Sequence, residues 1–141
     1  MKAVLDTNVL VSAAIHPKGK PRQILMLASS EFEWLISGDI LAELTDVLSR
    51  KHIQTKYGQS VTPSQQKEFF KTAGEITQVV KILSTPNAVT ADSDDNAILA
   101  CAVDGQADFL VTGDPHLLKL KSYSGIKIIT PAIFLQILTK D

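Results

Sequence analysis

Ala3-Val4-Leu5-Asp6-Thr7-Asn8-Val9-Leu10 decides how this chain is read. Its first three residues are apolar without alternation, as a strand buried on both faces should be. Asp6 ends that run, and apolar residues then resume at helical spacing, which predicts a helix from about Asn8 to Ile15. A strand that passes through one polar residue into a helix is the opening of an α/β unit.

The same alternation continues outward. The turn-rich stretch from His16 to Pro21 separates the first helix from a second, Gln23 to Ser29. Glu33-Trp34-Leu35-Ile36-Ser37 is the next expected strand. After Gly38, apolar residues at Ile40, Leu41, Leu44, Val47 and Leu48 give a clear helical period. Thr62-Pro63-Ser64-Gln65 opens a further helix, with Thr62 as cap, Pro63 at the first helical position and Gln65 reaching back. Val79 to Leu83 is expected as a strand, and Thr55 to Ser60 as a polar loop. Asp95 to Val103 is apolar almost all round and predicts a buried helix. Phe109 to Thr112 and Ile126 to Ile129 are further strands, and Thr130-Pro131 caps a final helix through Leu138. The expected architecture is one α/β domain over residues 1–141, a central parallel sheet of about five strands flanked by helices.

Composition limits the function. The chain has 141 residues, 45% of them hydrophobic and 21% charged, which is ordinary globular usage. Its formal net charge is −1, so a nucleic-acid partner must be held by a local basic patch and not by overall charge. The single cysteine, Cys101, excludes an internal disulfide and reads as a core residue. No apolar run approaches the roughly 18 residues of a membrane span. Asp6 arrives too early for a secretory signal, and a cytoplasmic location is expected.

Among the 15 acidic residues, four stand apart. Asp6 ends the first strand and Asp114 follows the Phe109–Thr112 strand. Asp95 opens the buried helix, and Glu43 lies beside the apolar stripe of its own helix. In an open parallel sheet, ligands bind beyond the carboxyl ends of the strands, where these four can converge. Gathered carboxylates repel, and a hard cation with oxygen ligands, Mg²⁺ or Mn²⁺, removes that penalty. Such an ion can lower the pKa of a water and stabilise charge on a reacting phosphate. Each residue also has a structural reading. Asp6 can be a turn residue, Asp114 before Pro115 can cap a short helix, Asp95 can serve the helix dipole beside Asp92 and Asp94, and Glu43 can face solvent.

The four positions sit in motifs. Val4-Leu5-Asp6-Thr7-Asn8-Val9-Leu10 resembles the opening of PIN domains, and Ile40-Leu41-Ala42-Glu43-Leu44 resembles their helix with a single glutamate. Asp94-Asp95-Asn96-Ala97-Ile98-Leu99-Ala100 and Leu110-Val111-Thr112-Gly113-Asp114 are similar to the two later motifs. Singly each is weak, but the ordered set covers nearly the whole chain. The resemblance implies Asp6, Glu43, Asp95 and Asp114 as catalytic and metal-binding residues, with Thr7, Asn8 and Thr112 in support. It also implies a Mg²⁺- or Mn²⁺-dependent ribonuclease of the VapC-like branch, the toxin of a toxin–antitoxin pair. A small antitoxin protein and a homodimer or larger homo-oligomer are then the expected partners beside RNA. The apolar helix Ile133 to Leu138, or the one around Gln23 to Leu27, is the candidate dimer surface.

Basic residues must contact the RNA. The loop with His16, Lys18, Lys20 and Arg22 is near Asp6 in sequence, and Arg50, Lys51 and His52 end the helix that carries Glu43. Two other functions compete. A non-catalytic PIN module binding RNA or protein would share the fold without a working site. An aspartate-based phosphatase also places Asp after the first strand, but needs an acid where this chain has Asn8.

Overall fold

The computed structural model describes residues 1–57, 62–83 and 93–140. The elements in order are β1 (Lys2–Leu5), α1 (Thr7–Ile15), α2 (Lys20–Met26), β2 (Glu33–Ile36), α3 (Gly38–Ser49), α4 (Lys51–Tyr57), α5 (Pro63–Ile76) and β3 (Thr77–Val79). There follow α6 (Ser93–Asp104), β4 (Phe109–Val111), α7 (Pro115–Leu118), β5 (Ser122–Tyr123), β6 (Ile126–Ile129) and α8 (Pro131–Thr139). The strands form one sheet in the order β3-β2-β1-β4-β6-β5. All neighbours pair in parallel except β5, which runs antiparallel to β6 at the edge. The expected parallel α/β sheet is therefore present, with one short antiparallel strand added.

β1 lies at the centre, and Ala3, Val4 and Leu5 are fully buried there. That placement explains the unbroken apolar run, since both faces of a central strand are covered. From β1 the chain moves to β2 on one side, and from β4 it moves to β6 on the other. The sheet order therefore reverses between β1 and β4, which is where an open α/β sheet leaves a crevice at its carboxyl edge. Helix α6 packs on β1, β2, β4 and α3. Its close approach needs Gly105, where a Cβ would meet Leu35 Cδ1 at 2.7 Å and the Cys101 carbonyl oxygen at 2.9 Å. α8 lies on α2, and Phe134 meets Phe32 edge-on at 5.1 Å.

Several boundaries differ from those expected. α2 starts at Lys20, because Pro21 is tolerated in a first helical turn, and it ends at Met26 before the left-handed Ser29 (φ 75°). The predicted strand Val79 to Leu83 is displaced: α5 runs to Ile76, β3 is Thr77–Val79, and Val80 N–H still donates to Ile36 O at 2.7 Å. Leu83 has left the sheet, and its N–H donates to Asp104 Oδ2 at 2.6 Å. Val79 and Leu83 are 66% and 79% exposed, so this apolar run marks an edge and not a core strand. The loop predicted over Thr55 to Ser60 is helical as far as Tyr57, and the rest lies outside the described residues. The predicted capping box is present, with Thr62 Oγ1 accepting from Gln65 N–H and Gln65 Oε1 accepting from Thr62 N–H.

Candidate functional site

Four residues stand in one row just past the carboxyl ends of neighbouring strands: Ser37 after β2, Asp6 after β1, Thr112 after β4 and Thr130 after β6. Three of them occupy the cap position of a following helix. Ser37 accepts from Ile40 N–H and Thr130 from Ile133 N–H, each at 3.2 Å, which satisfies orphan amide donors of α3 and α8. Asp6 holds the same position before α1, yet its side chain makes no cap hydrogen bond. Its carboxylate instead accepts the Thr112 hydroxyl at 2.6 Å. The pairing of Leu5 with Val111 places these two residues side by side.

Thr112 connects two aspartates. Its Oγ1 also accepts the Asp114 backbone N–H at 3.0 Å, so its own hydrogen is directed to Asp6. Asp114 is the cap of α7, and its Oδ1 accepts from His116 N–H at 2.8 Å. The structural reading of Asp114 as a short-helix cap is therefore correct for one of its oxygens. Asp6 is 6% exposed, and burial raises its pKa above the ordinary carboxylate value. The Thr112 hydroxyl and the nearby amides of Thr7 and Asn8 oppose that rise, while the Asp114 charge adds to it.

Asp95 lies in the first turn of α6 and is 7% exposed. α6 carries the chain back to the amino edge, where β4 begins, so its first turn belongs to the carboxyl edge of the sheet. Glu43 is half-buried on α3, next to the buried stripe of Ile40, Leu44 and Leu48. Asp92 lies outside the described residues. The structure brings Asp6 and Asp114 together through Thr112. Among the described residues, no three His, Cys, Asp or Glu side chains converge closely enough to hold an ion.

A divalent cation suits these donors. They are oxygens, which hard cations prefer, and a cation would offset the burial and repulsion that Asp6 experiences. Two further oxygens support the fit: Thr7 Oγ1 and Asn96 Oδ1 are buried without a hydrogen-bond partner among the described residues. Each belongs to the residue that follows one of the candidate ligands, Asp6 and Asp95. Asn96 was not singled out from the sequence, although it stands in the quoted Asp94–Ala100 motif. Asn8 is exposed at the start of α1.

The basic residues are placed differently from the expectation. The loop with Lys18 and Lys20 follows the far end of α1, so nine helical residues, about 14 Å, separate it from Asp6. Sequence proximity to Asp6 was misleading because a helix intervenes. Lys18 and Lys20 are exposed, but Arg22 turns inward, its Nε donating to Ala13 O at 2.7 Å and Nη2 to Ala14 O at 3.3 Å. Arg50 likewise ends α3, far from its cap, and forms an exposed ion pair with Asp46 at 3.1 Å. Lys51 opens α4 and is exposed. Cys101 is buried as expected, and burial pushes its thiol up to about 12 against the effect of a Ser37 hydrogen bond.

Residues 2–116 match the family described as PIN domain. An uncharacterized protein of Methanocaldococcus jannaschii, MJ1680, is 28% identical over 144 residues, covering 96% of this chain and 90% of that protein. Two solved structures share the fold. VapBC2 from Rickettsia felis, bound to a DNA fragment from their promoter, superposes with a TM-score of 0.64 at 18% identity, covering 92% of this chain and 98% of that one. PAE2754 from Pyrobaculum aerophilum gives a TM-score of 0.60 at 16% identity, covering 100% and 91%.

Proposed function

The chain belongs to the PIN domain family, whose members are generally nucleases, and from that premise we propose that it is a divalent-metal-dependent endoribonuclease. The observation that carries the proposal is the carboxylate of Asp6. It is buried at the switch point of the sheet, declines the helix cap its position offers, and is tied through Thr112 to Asp114.

Asp6, Asp95, Asp114 and Glu43 are the residues that would hold Mg²⁺ or Mn²⁺. The bound ion supplies an activated water and a countercharge for a phosphate in displacement. The protein's own part is orientation. Thr112 fixes one oxygen of Asp6 and leaves the other for a ligand, while the cap bond does the same for Asp114. α1 and α3 begin directly beyond β1 and β2, so their amino-terminal dipoles favour an anion at this edge. Lys18 and Lys20, beyond the far end of α1, and Arg50 and Lys51, at the far end of α3, are assigned to phosphates that flank the scissile one. Arg22 is assigned to the fold.

The likeness to VapBC2 supports a toxin role in a toxin–antitoxin pair, with a small antitoxin protein as partner. A homodimer is the proposed assembly. Met26 on α2 and Ile133 on the adjoining α8 are 76% and 46% exposed, an apolar pair that a second copy can cover. Incubating the purified protein with a mixed-sequence RNA oligonucleotide tests the activity. Cleavage that requires Mg²⁺ or Mn²⁺ is expected and should stop with EDTA. Mn²⁺ binding without cleavage would instead identify a binding module.

A further inference from the structure

A cavity of about 480 Å³ is bounded by α2, α5 and the ends of α1 and α3. That volume is within the roughly 300–1,000 Å³ typical of small-molecule sites. Its walls are mostly apolar, with Leu25, Phe69 and Ile76 among them, and two of its lining residues, Trp34 and Arg22, are polar groups held in this apolar setting. Trp34 is 1% exposed, and its buried Nε1–H has no hydrogen-bond partner among the described residues. Arg22 is part-buried, bonded to two carbonyls with its guanidinium carbon 5.9 Å from the Phe69 ring centroid. Among the described residues it has no acidic partner.

Both features call for the same thing. A buried N–H without an acceptor and a half-buried cation without an anion are each costly. We propose that this cavity binds a small amphiphilic carboxylic acid, its carboxylate set against Arg22 and the Trp34 N–H and its apolar body against Phe69 and Ile76. A guanidinium fork matches a carboxylate in shape as well as charge. Glu68 on the exposed rim disfavours a dianion such as a phosphate monoester. This site goes beyond the nuclease reading and stands or falls independently of it.

Trp34 is the chain's one tryptophan, so its emission reports directly on the cavity. Octanoate titrated into the full-length protein should give a saturable emission change and a higher Tm. Octanol, of equal chain length, should bind at least tenfold more weakly. Arg22→Gln should weaken octanoate by tenfold or more. Because Arg22 also ties down the end of α1, Trp34→Phe provides a second arm, read by Tm, in which the octanoate-induced rise should fall by half or more. Absence of saturation, equal binding of octanoate and octanol, or an undiminished Tm rise in Trp34→Phe would each overturn the proposal.

Discussion

Thr112 donates its hydroxyl hydrogen to Asp6 at 2.6 Å while accepting the Asp114 amide hydrogen at 3.0 Å. One buried side chain thereby sets the position of two aspartates that lie more than a hundred residues apart in sequence. Thr112→Val keeps the shape and removes that donor. A buried acceptor left without its hydrogen bond costs about 1–3 kcal/mol, so urea unfolding should show a loss of that size. Thr112→Ser should retain most of the stability. Cleavage should fall in the valine variant and recover in the serine one.

Asp6 should make the metal-free protein less stable at neutral pH. Its folded-state pKa is raised, chiefly by burial, so the native state binds the proton more tightly than the unfolded chain. Stability from this group is therefore present at low pH and is lost as pH rises through the raised folded value. Asp6→Asn removes the charge and keeps an acceptor for Thr112. In EDTA at pH 7 the variant should melt higher than the wild type, by about 3 °C for each 1 kcal/mol relieved. The difference should shrink as pH is lowered toward 3.8, the ordinary carboxylate value. A lower melting point for the variant at pH 7 would contradict the account.

How much of this was legible beforehand depended on whether neighbours in sequence were also neighbours in space. β1 and its terminal Asp6 could be read from residues 3–10 alone, because a buried parallel strand has an unmistakable apolar run. Thr62 and Gln65 were equally readable, since a capping box is local. The Val79–Leu83 run misled because only an edge strand forms there, and exposure is set by which strands lie alongside. Arg22 misled for a similar reason. Its partners, Ala13 and Ala14, are carbonyls, and no residue type announces them. The bond between Thr112 and Asp6 depends on β4 lying beside β1, which the family motifs implied and the residues alone did not state.

Mn²⁺ should stabilise the wild type by mass action, by about 2.7 kcal/mol at one hundred times Kd. Asp95→Asn and Asp114→Asn should each lose most of that gain, because ligands of one ion act together. The control is a conservative change at an acidic residue outside the site; Asp104 is excluded from that role because it accepts the Leu83 amide hydrogen at 2.6 Å. Exposed Glu31 serves instead, and Glu31→Gln should respond to Mn²⁺ as the wild type does. Thermal shift with and without metal gives the comparison.

Salt should weaken RNA binding by counterion release. If Lys18 and Lys20 contact flanking phosphates, the double alanine variant should lower the slope of log K against log salt by about 1–2 while its Tm stays unchanged. An identical slope would remove the loop from the binding surface.

Cys101 should be inert in the native protein. Its thiol is buried and pushed up to about 12, so little thiolate exists at pH 8. A thiol-reactive disulfide reagent should modify it only as the protein unfolds, with a rate that rises in urea. Fast stoichiometric reaction in buffer would show that the helix carrying it opens readily.

The central claim concerns the carboxylate of Asp6, and RNA cleavage by Asp6→Asn with saturating Mg²⁺ tests it most directly. Loss of groups that merely orient metal ligands already costs about 10–100-fold, so loss of a ligand's charge should lower the rate by roughly 100-fold or more. The variant should remain folded, with a metal-free Tm at least equal to the wild type's. Cleavage by Asp6→Asn at the wild-type rate would show that the active site is elsewhere.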